Sequence, residues 1–183
     1  MTYFYCDFRD RKKQEVSGLL ASLVAQLSAK SDACYRILSA LYSEYDAGSR
    51  RPGDHALMGC LGKMLQAEGQ PTIYIIIDAI DECPNGLGLV PPRERVIELV
   101  EKLADSNLPN VRICATSRPE ADIHAALASL APHGVSIHDE AGQRKDIADY
   151  IRSIVHSDRN MRRWRTEDKE MVINTLSRKA GGM

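Results

Sequence analysis

Ile73-Tyr74-Ile75-Ile76-Ile77-Asp78 is the run that decides the fold. Four of its six residues are β-branched, and no polar residue alternates with the apolar ones. Such a run predicts a strand buried on both faces, as in the centre of a parallel sheet. Upstream, Tyr3-Phe4-Tyr5-Cys6-Asp7-Phe8 is aromatic and continuous and reads as a second buried strand. Downstream, Val111–Ser117 reads as a third and Val135–His138 as a short fourth. Helical periodicity fills the intervals. Val16, Leu19, Leu20, Leu23, Val24 and Leu27 recur at amphipathic spacing. Cys34, Leu38, Leu41, Tyr42 and Tyr45 follow a Ser31-Asp32 cap, and Leu57, Met58, Leu61, Met64 and Leu65 follow Asp54. Val96, Leu99, Val100 and Leu103 mark another helix, and Ile123, Ala126, Leu127 and Leu130 one with Pro119 in its first turn.

Strands alternating with helices predict an α/β domain with a parallel sheet. From about Gly142 the pattern is helical only, with stripes at Ile147, Tyr150, Ile151, Ile154 and at Met171, Val172, Thr175, Leu176. The expected organisation is an α/β domain over 1–140 and the start of a helical subdomain over 141–183.

The 183-residue composition is that of a folded protein, 44% hydrophobic and 27% charged. Twenty-four Lys and Arg against 25 Asp and Glu leave a net charge of −1, which argues against a nucleic-acid or membrane-surface partner. No apolar run approaches the ~20 residues needed to span a bilayer. No secretory leader is visible. The five cysteines are scattered without a CxxC pair, so a reduced, cytoplasmic protein is expected. Cys34, Cys60 and Cys114 read as small core residues. Arg159, Arg162, Arg163, Trp164 and Arg165 read as a solvated helix face with one packed Trp rather than a nucleic-acid patch.

Chemistry concentrates after the central strand. In open α/β sheets, ligands bind beyond the carboxyl ends of strands. Asp78, Asp81 and Glu82 all fall there. Two carboxylates about 6 Å apart repel by roughly 3 kcal/mol at an effective dielectric of ~20. A divalent cation would relieve that repulsion; a solvated acidic loop is the alternative. Arg118, in Thr116-Ser117-Arg118-Pro119-Glu120, falls at the end of the third strand. It could contact a phosphate, or pair with Asp81 or Glu82, or cap its loop.

Residues 3–10 (Tyr-Phe-Tyr-Cys-Asp-Phe-Arg-Asp), 73–84 (Ile-Tyr-Ile-Ile-Ile-Asp-Ala-Ile-Asp-Glu-Cys-Pro) and 113–120 (Ile-Cys-Ala-Thr-Ser-Arg-Pro-Glu) together resemble the NACHT domain. The likeness is to its fungal, nephrocystin-3-like N-terminal type, within the STAND class of signalling P-loop NTPases. The segments 135–140, 146–151 and 162–165 also resemble that subgroup. The resemblance implies a three-layer P-loop NTPase-like sheet and hydrolysis of ATP or GTP with Mg²⁺ in a molecular switch. It makes 73–82 the Walker B segment, with Asp78 holding Mg²⁺ through water and contributing to nucleotide binding. Asp81 and Glu82 would orient the attacking water, and Arg118 would be the sensor 1 residue at the γ-phosphate.

The family also needs a phosphate loop, G-x-x-x-x-G-K-[ST], ahead of the segment matching Tyr3–Phe8. The chain holds none: Leu57 and Met64 break the pattern around Gly62-Lys63, which sits on an amphipathic helix. The resemblance therefore leads one to expect a chain cut at both ends, lacking the strand before the phosphate loop. Two expectations follow: a fragment of a signalling NTPase with partners or self-association through flanking domains, or a non-catalytic fragment acting only through protein contacts.

Overall fold

The computed structural model describes residues 1–86, 89–130, 134 and 141–180, with side chains of the last stretch from 145 onward. It is an α/β chain with three strands and seven helices among these residues. The strands are β1 (Thr2–Tyr5), β2 (Ile73–Asp78) and β3 (Val111–Ala115). The helices are α1 (Val16–Ser28), α2 (Asp32–Glu44), α3 (Asp54–Leu65), α4 (Pro92–Asp105), α5 (Ala121–Leu127), α6 (Ala141–Ser157) and α7 (Thr166–Ala180). The chain divides into two compact units, Met1–Pro132 and His133–Met183. No helix among the described residues is long and apolar enough to cross a membrane.

In the first unit the sheet is parallel with strand order β1-β2-β3. Thr2 registers with Ile75 and Tyr5 with Asp78, while Ile73 registers with Val111 and Ile77 with Ala115. The order advances in one direction. Right-handed crossovers therefore place α1 to α4 on a single face. All six predicted apolar residues of α1 are buried, and α1 packs against β1, α2, α3 and α4. Beneath this layer lie Phe4, Ile73, Ile75, Ile77 and Val111. Full burial of Ile75 and Ile77 stabilises the centre by ~1.5–3 kcal/mol each.

The single-sided layer corrects two sequence expectations. β2 is not buried on both faces: Ile73, Ile75 and Ile77 are buried, Tyr74 is exposed and Ile76 half-buried. β1 alternates too, with Tyr3 and Tyr5 exposed, and it ends at Tyr5 rather than Phe8. Of the three expected layers, the described residues supply the sheet and one helical layer. Cys114 belongs to the open side and is exposed, not a core residue; Cys34 and Cys60 are buried. The expected strand at 135–138 lies outside the described residues.

Local chemistry sets the helix ends. Ser31 accepts from the Cys34 amide at the start of α2. Pro92 occupies the first turn of α4, where its missing N–H costs nothing. α5 starts at Ala121, two residues later than Pro119 suggests, with Glu120 as its extended N-cap. The Gly62-Lys63 pair lies inside α3, between buried Leu61 and Met64.

In the second unit α6 packs against α7. Among the described residues of this unit Val155 and Ile173 are buried, so both predicted stripes are displaced: Tyr150, Ile154, Met171 and Leu176 are exposed. Residues 159–164 form turns rather than a helix face, and Trp164 is exposed rather than packed. Glu167 and Asp168 open α7 and Arg178 and Lys179 close it, matching the helix dipole at both ends.

Candidate functional site

Beyond Asp78 the chain turns sharply. Ala79 takes the left-handed conformation (φ 58°, ψ 52°), and Ile80–Glu82 form one 3₁₀ turn anchored by fully buried Ile80. A residue with a Cβ pays ~1–2 kcal/mol there, which favours a small side chain. Thr116 holds the geometry in place. Its amide donates to the Ile77 carbonyl and its carbonyl accepts from the Ile80 amide, both at 3.0 Å. Its hydroxyl accepts from the Ala79 amide at 3.0 Å and donates to the Asp78 carboxylate. The ends of β2 and β3 are thus locked together through one threonine.

The three carboxylates share this strand end but face different partners. Asp78 is half-buried and is bound by the Thr116 hydroxyl. Asp81, its side chain only 8% exposed, accepts from the Arg118 amide at 2.9 Å and pairs with Arg118 Nε at 3.4 Å. The Arg118 guanidinium itself is largely exposed. Glu82 accepts from the Phe8 amide at 3.1 Å, tying the turn to the chain after β1. Among the described residues no three carboxylate, thiol or imidazole groups converge as a metal cage would require. Asp78 has no Lys or Arg at ion-pair distance among the described residues.

Sequence reasoning missed Arg93. This residue, 9% exposed, lies on the inward face of α4. Its Nη2 donates to the Asp81 carbonyl at 2.7 Å and its Nε to the Cys83 carbonyl at 2.9 Å. Its Nη1 reaches Asp122 of α5 at 3.3 Å and Glu120 at 3.8 Å. The guanidinium therefore clamps the acidic turn to the start of α5. The signal was present: Arg93, Val96 and Val100 share helical spacing, which puts a cation on an apolar face.

Asp7 and Arg9 close the near side. Hydrogen bonds from Arg9 hold the Asp7 carboxyl at about 2, below its ordinary range. Cys6, just after β1, and Cys83, just after the acidic turn, are both buried. The neighbouring Cys83, burial and the nearby carboxylates push the Cys6 thiol up; the neighbouring Cys6 draws the Cys83 thiol down.

A 360 Å³ pocket opens among these groups, walled by Phe8, Gln14, Asp81, Glu82, Arg93 and Arg118. A larger concavity of 680 Å³ lies between α2 and α3, bordered by Arg36, Tyr45, His55 and Lys63. It contains none of the strand-end residues. The smaller pocket brings together Asp81, Glu82 and Arg118 but is not lined by Asp78 or Thr116; it and the adjoining Asp78–Thr116 pair form the candidate site, at the carboxyl ends of the strands and with both charge signs.

The family described as Nephrocystin 3, N-terminal, matches residues 1–118, which include all three strands and every strand-end residue described above. No curated protein and no solved structure matches the chain.

Proposed function

Since the chain belongs to the Nephrocystin 3, N-terminal family, we propose that it carries the magnesium and γ-phosphate side of a nucleotide site, in a signalling switch of the NACHT type. The observation that carries this reading is Asp78. It is a carboxylate at the carboxyl end of the central strand with no cationic partner among the described residues, oriented by a threonine hydroxyl, one short turn from an arginine. Mg²⁺ keeps several waters and takes only one or two protein carboxylates plus phosphate oxygens. A lone Asp78 with a neighbouring hydroxyl fits that donor set, whereas a calcium- or zinc-type cage would need more ligands. Mg²⁺ at Asp78 would supply charge neutralisation for the phosphates of ATP or GTP. Arg118, mostly exposed, would swing from Asp81 toward the terminal phosphate. Asp81 and Glu82, released from Arg118 and from the Phe8 amide, would orient the attacking water. The phosphate loop that completes such a site is not among these 183 residues and would come from another segment.

A second reading rests on the Asp81–Arg118 pair. The two groups satisfy each other without a ligand, which suits a non-catalytic module that works through protein contacts or self-association. Calorimetry of folded protein with ATP or GTP, with and without Mg²⁺, separates the two. Magnesium-dependent heat that disappears in Asp78→Asn supports the nucleotide site. Absence of any magnesium-dependent heat in folded protein leaves the protein-contact reading. Hydrolysis, where a phosphate loop is supplied in front of β1, should be abolished by Glu82→Gln; unchanged turnover would remove Glu82 from its role.

A further inference from the structure

α2 and α3 run antiparallel. Cys34 Sγ, in the first turn of α2, lies 3.8 Å from the Met64 carbonyl oxygen in the last turn of α3. The 680 Å³ groove between them has a floor of half-buried Ile37 and Leu41 with buried Cys60. Its wall on α2 runs from Ala33 to Tyr45, ~18 Å at helical rise, which is the length of about three helical turns.

Two observations bear on what fits there. The first is charge. Arg36 and Lys63 line the same end of the groove, and neither is at ion-pair distance from a carboxylate among the described residues. Glu44, the last residue of α2, lines the opposite end. The second is Gly59, which also lines the groove. It sits inside α3, where glycine is less stable than alanine, and an added Cβ there would meet no atom within 4 Å. Packing among the described residues therefore does not call for glycine at this wall. Close approach of another backbone does.

The geometry points to this groove as the docking site of a partner's amphipathic α-helix, apolar on the face it buries and acidic in its first turn. The apolar face covers Ile37 and Leu41, the backbone passes over Gly59, and the acidic residues lie between Arg36 and Lys63. Acidic residues in a first turn also suit that helix's own dipole. This sets the direction: the partner helix enters at the Arg36 end and runs parallel to α2. The inference rests on α2 and α3 alone and holds whether or not nucleotide binds.

The test titrates two synthetic amphipathic peptides, each about three to four helical turns long, into the isotopically labelled full chain. Both carry leucine at helical spacing. One has glutamate in its first turn and the other has lysine at the same positions. The glutamate peptide should shift the amides of Ala33, Ile37, Ala40 and Gly59. It should bind about tenfold more tightly than the lysine peptide, and the preference should shrink in high salt. In the double variant Arg36→Glu with Lys63→Glu the preference should reverse. Both positions are exposed, so that chain keeps its fold. Gly59→Ala should raise Tm by about 2 °C through helix propensity, and Gly59→Gln, which fills the wall, should abolish binding. Equal affinity for both peptides, or no shift at these amides with either, would overturn the proposal. So would undiminished binding in folded Gly59→Gln. Decanoate shifting the same amides where the glutamate peptide does not would give the groove to a small amphiphile. A dimer that dissociates in Gly59→Gln would give it to a second copy. Either result would overturn the partner helix.

Discussion

Replacing Arg93 by methionine keeps the apolar stem and deletes the clamp. Two charge-assisted hydrogen bonds are lost, to the Asp81 carbonyl at 2.7 Å and the Cys83 carbonyl at 2.9 Å. Such bonds contribute about 1.5–3 kcal/mol each. The ion pair to Asp122, which is 38% exposed, adds only ~0–1 kcal/mol because solvent screens it. Against this, burying a guanidinium is costly, and the variant recovers part of that cost. The net destabilisation should be about 2–4 kcal/mol, a large share of a total of ~5–15 kcal/mol. Urea unfolding followed by circular dichroism reads it directly. With a slope near ~2 kcal/mol/M the midpoint should fall by roughly 1–2 M. Arg95→Met is the control. Arg95 is largely exposed and 3.9 Å from Asp54, so it should change stability by no more than ~0.5 kcal/mol. If both variants unfold at the wild-type midpoint, Arg93 does not hold the acidic turn and the description of the site is wrong.

Further expectations concern the backbone and the charge at the site's edge. Gly18→Ala would bring a Cβ to 2.0 Å from the Lys12 carbonyl oxygen; overpacking of this kind costs about 1–3 kcal/mol, read as a fall of several degrees in Tm, and an unchanged Tm would contradict the close approach. Ala79→Gly relieves the left-handed strain at φ 58° and should raise stability by up to ~1 kcal/mol; a loss would show that the Ala79 methyl packs more than it strains. The Asp7 carboxyl, held at about 2 by Arg9, is depressed in the folded state. Its contribution is therefore present above its unfolded value and is lost as pH falls through about 2. Carboxyl NMR should show that low midpoint, and Arg9→Ala should return it toward ~3.9; a midpoint unmoved in Arg9→Ala would refute the cause.

The strand run at 73–78 and the helical stripes of α1, α3 and α4 were legible because hydrophobic periodicity is local. The apolar face of β2 was misread because periodicity reports which residues avoid water on average, not how many layers cover a sheet. The strand order and the hand of the crossovers decide that, and neither is written in any one segment. The same limit displaced the stripes of α6 and α7, where Val155 and Ile173 are buried in place of Ile154 and Met171. At the site, Asp78, Asp81, Glu82 and Arg118 were identified from their positions at strand ends, and the open alternative of an Asp81–Arg118 pair is what the side chains adopt. Their separate partners were not legible: Asp78 is bound by Thr116, Asp81 by Arg118 and Glu82 by the Phe8 amide. Thr116 and Arg93 matter through hydrogen bonds to carbonyls and amides distant in sequence, and such bonds have no compositional signature.

The central claim places magnesium and phosphate at the end of β2, and paramagnetic broadening locates a metal–nucleotide complex even where binding is weak. Mn²⁺ with ATP or GTP is titrated into isotopically labelled protein while amide resonances are followed. The account predicts that Ala79, Thr116, Ser117, Arg118 and Phe8 broaden first, and that Asp78→Asn abolishes the effect with the rest of the spectrum intact. Broadening that centres elsewhere, or that persists unchanged in folded Asp78→Asn, would contradict it.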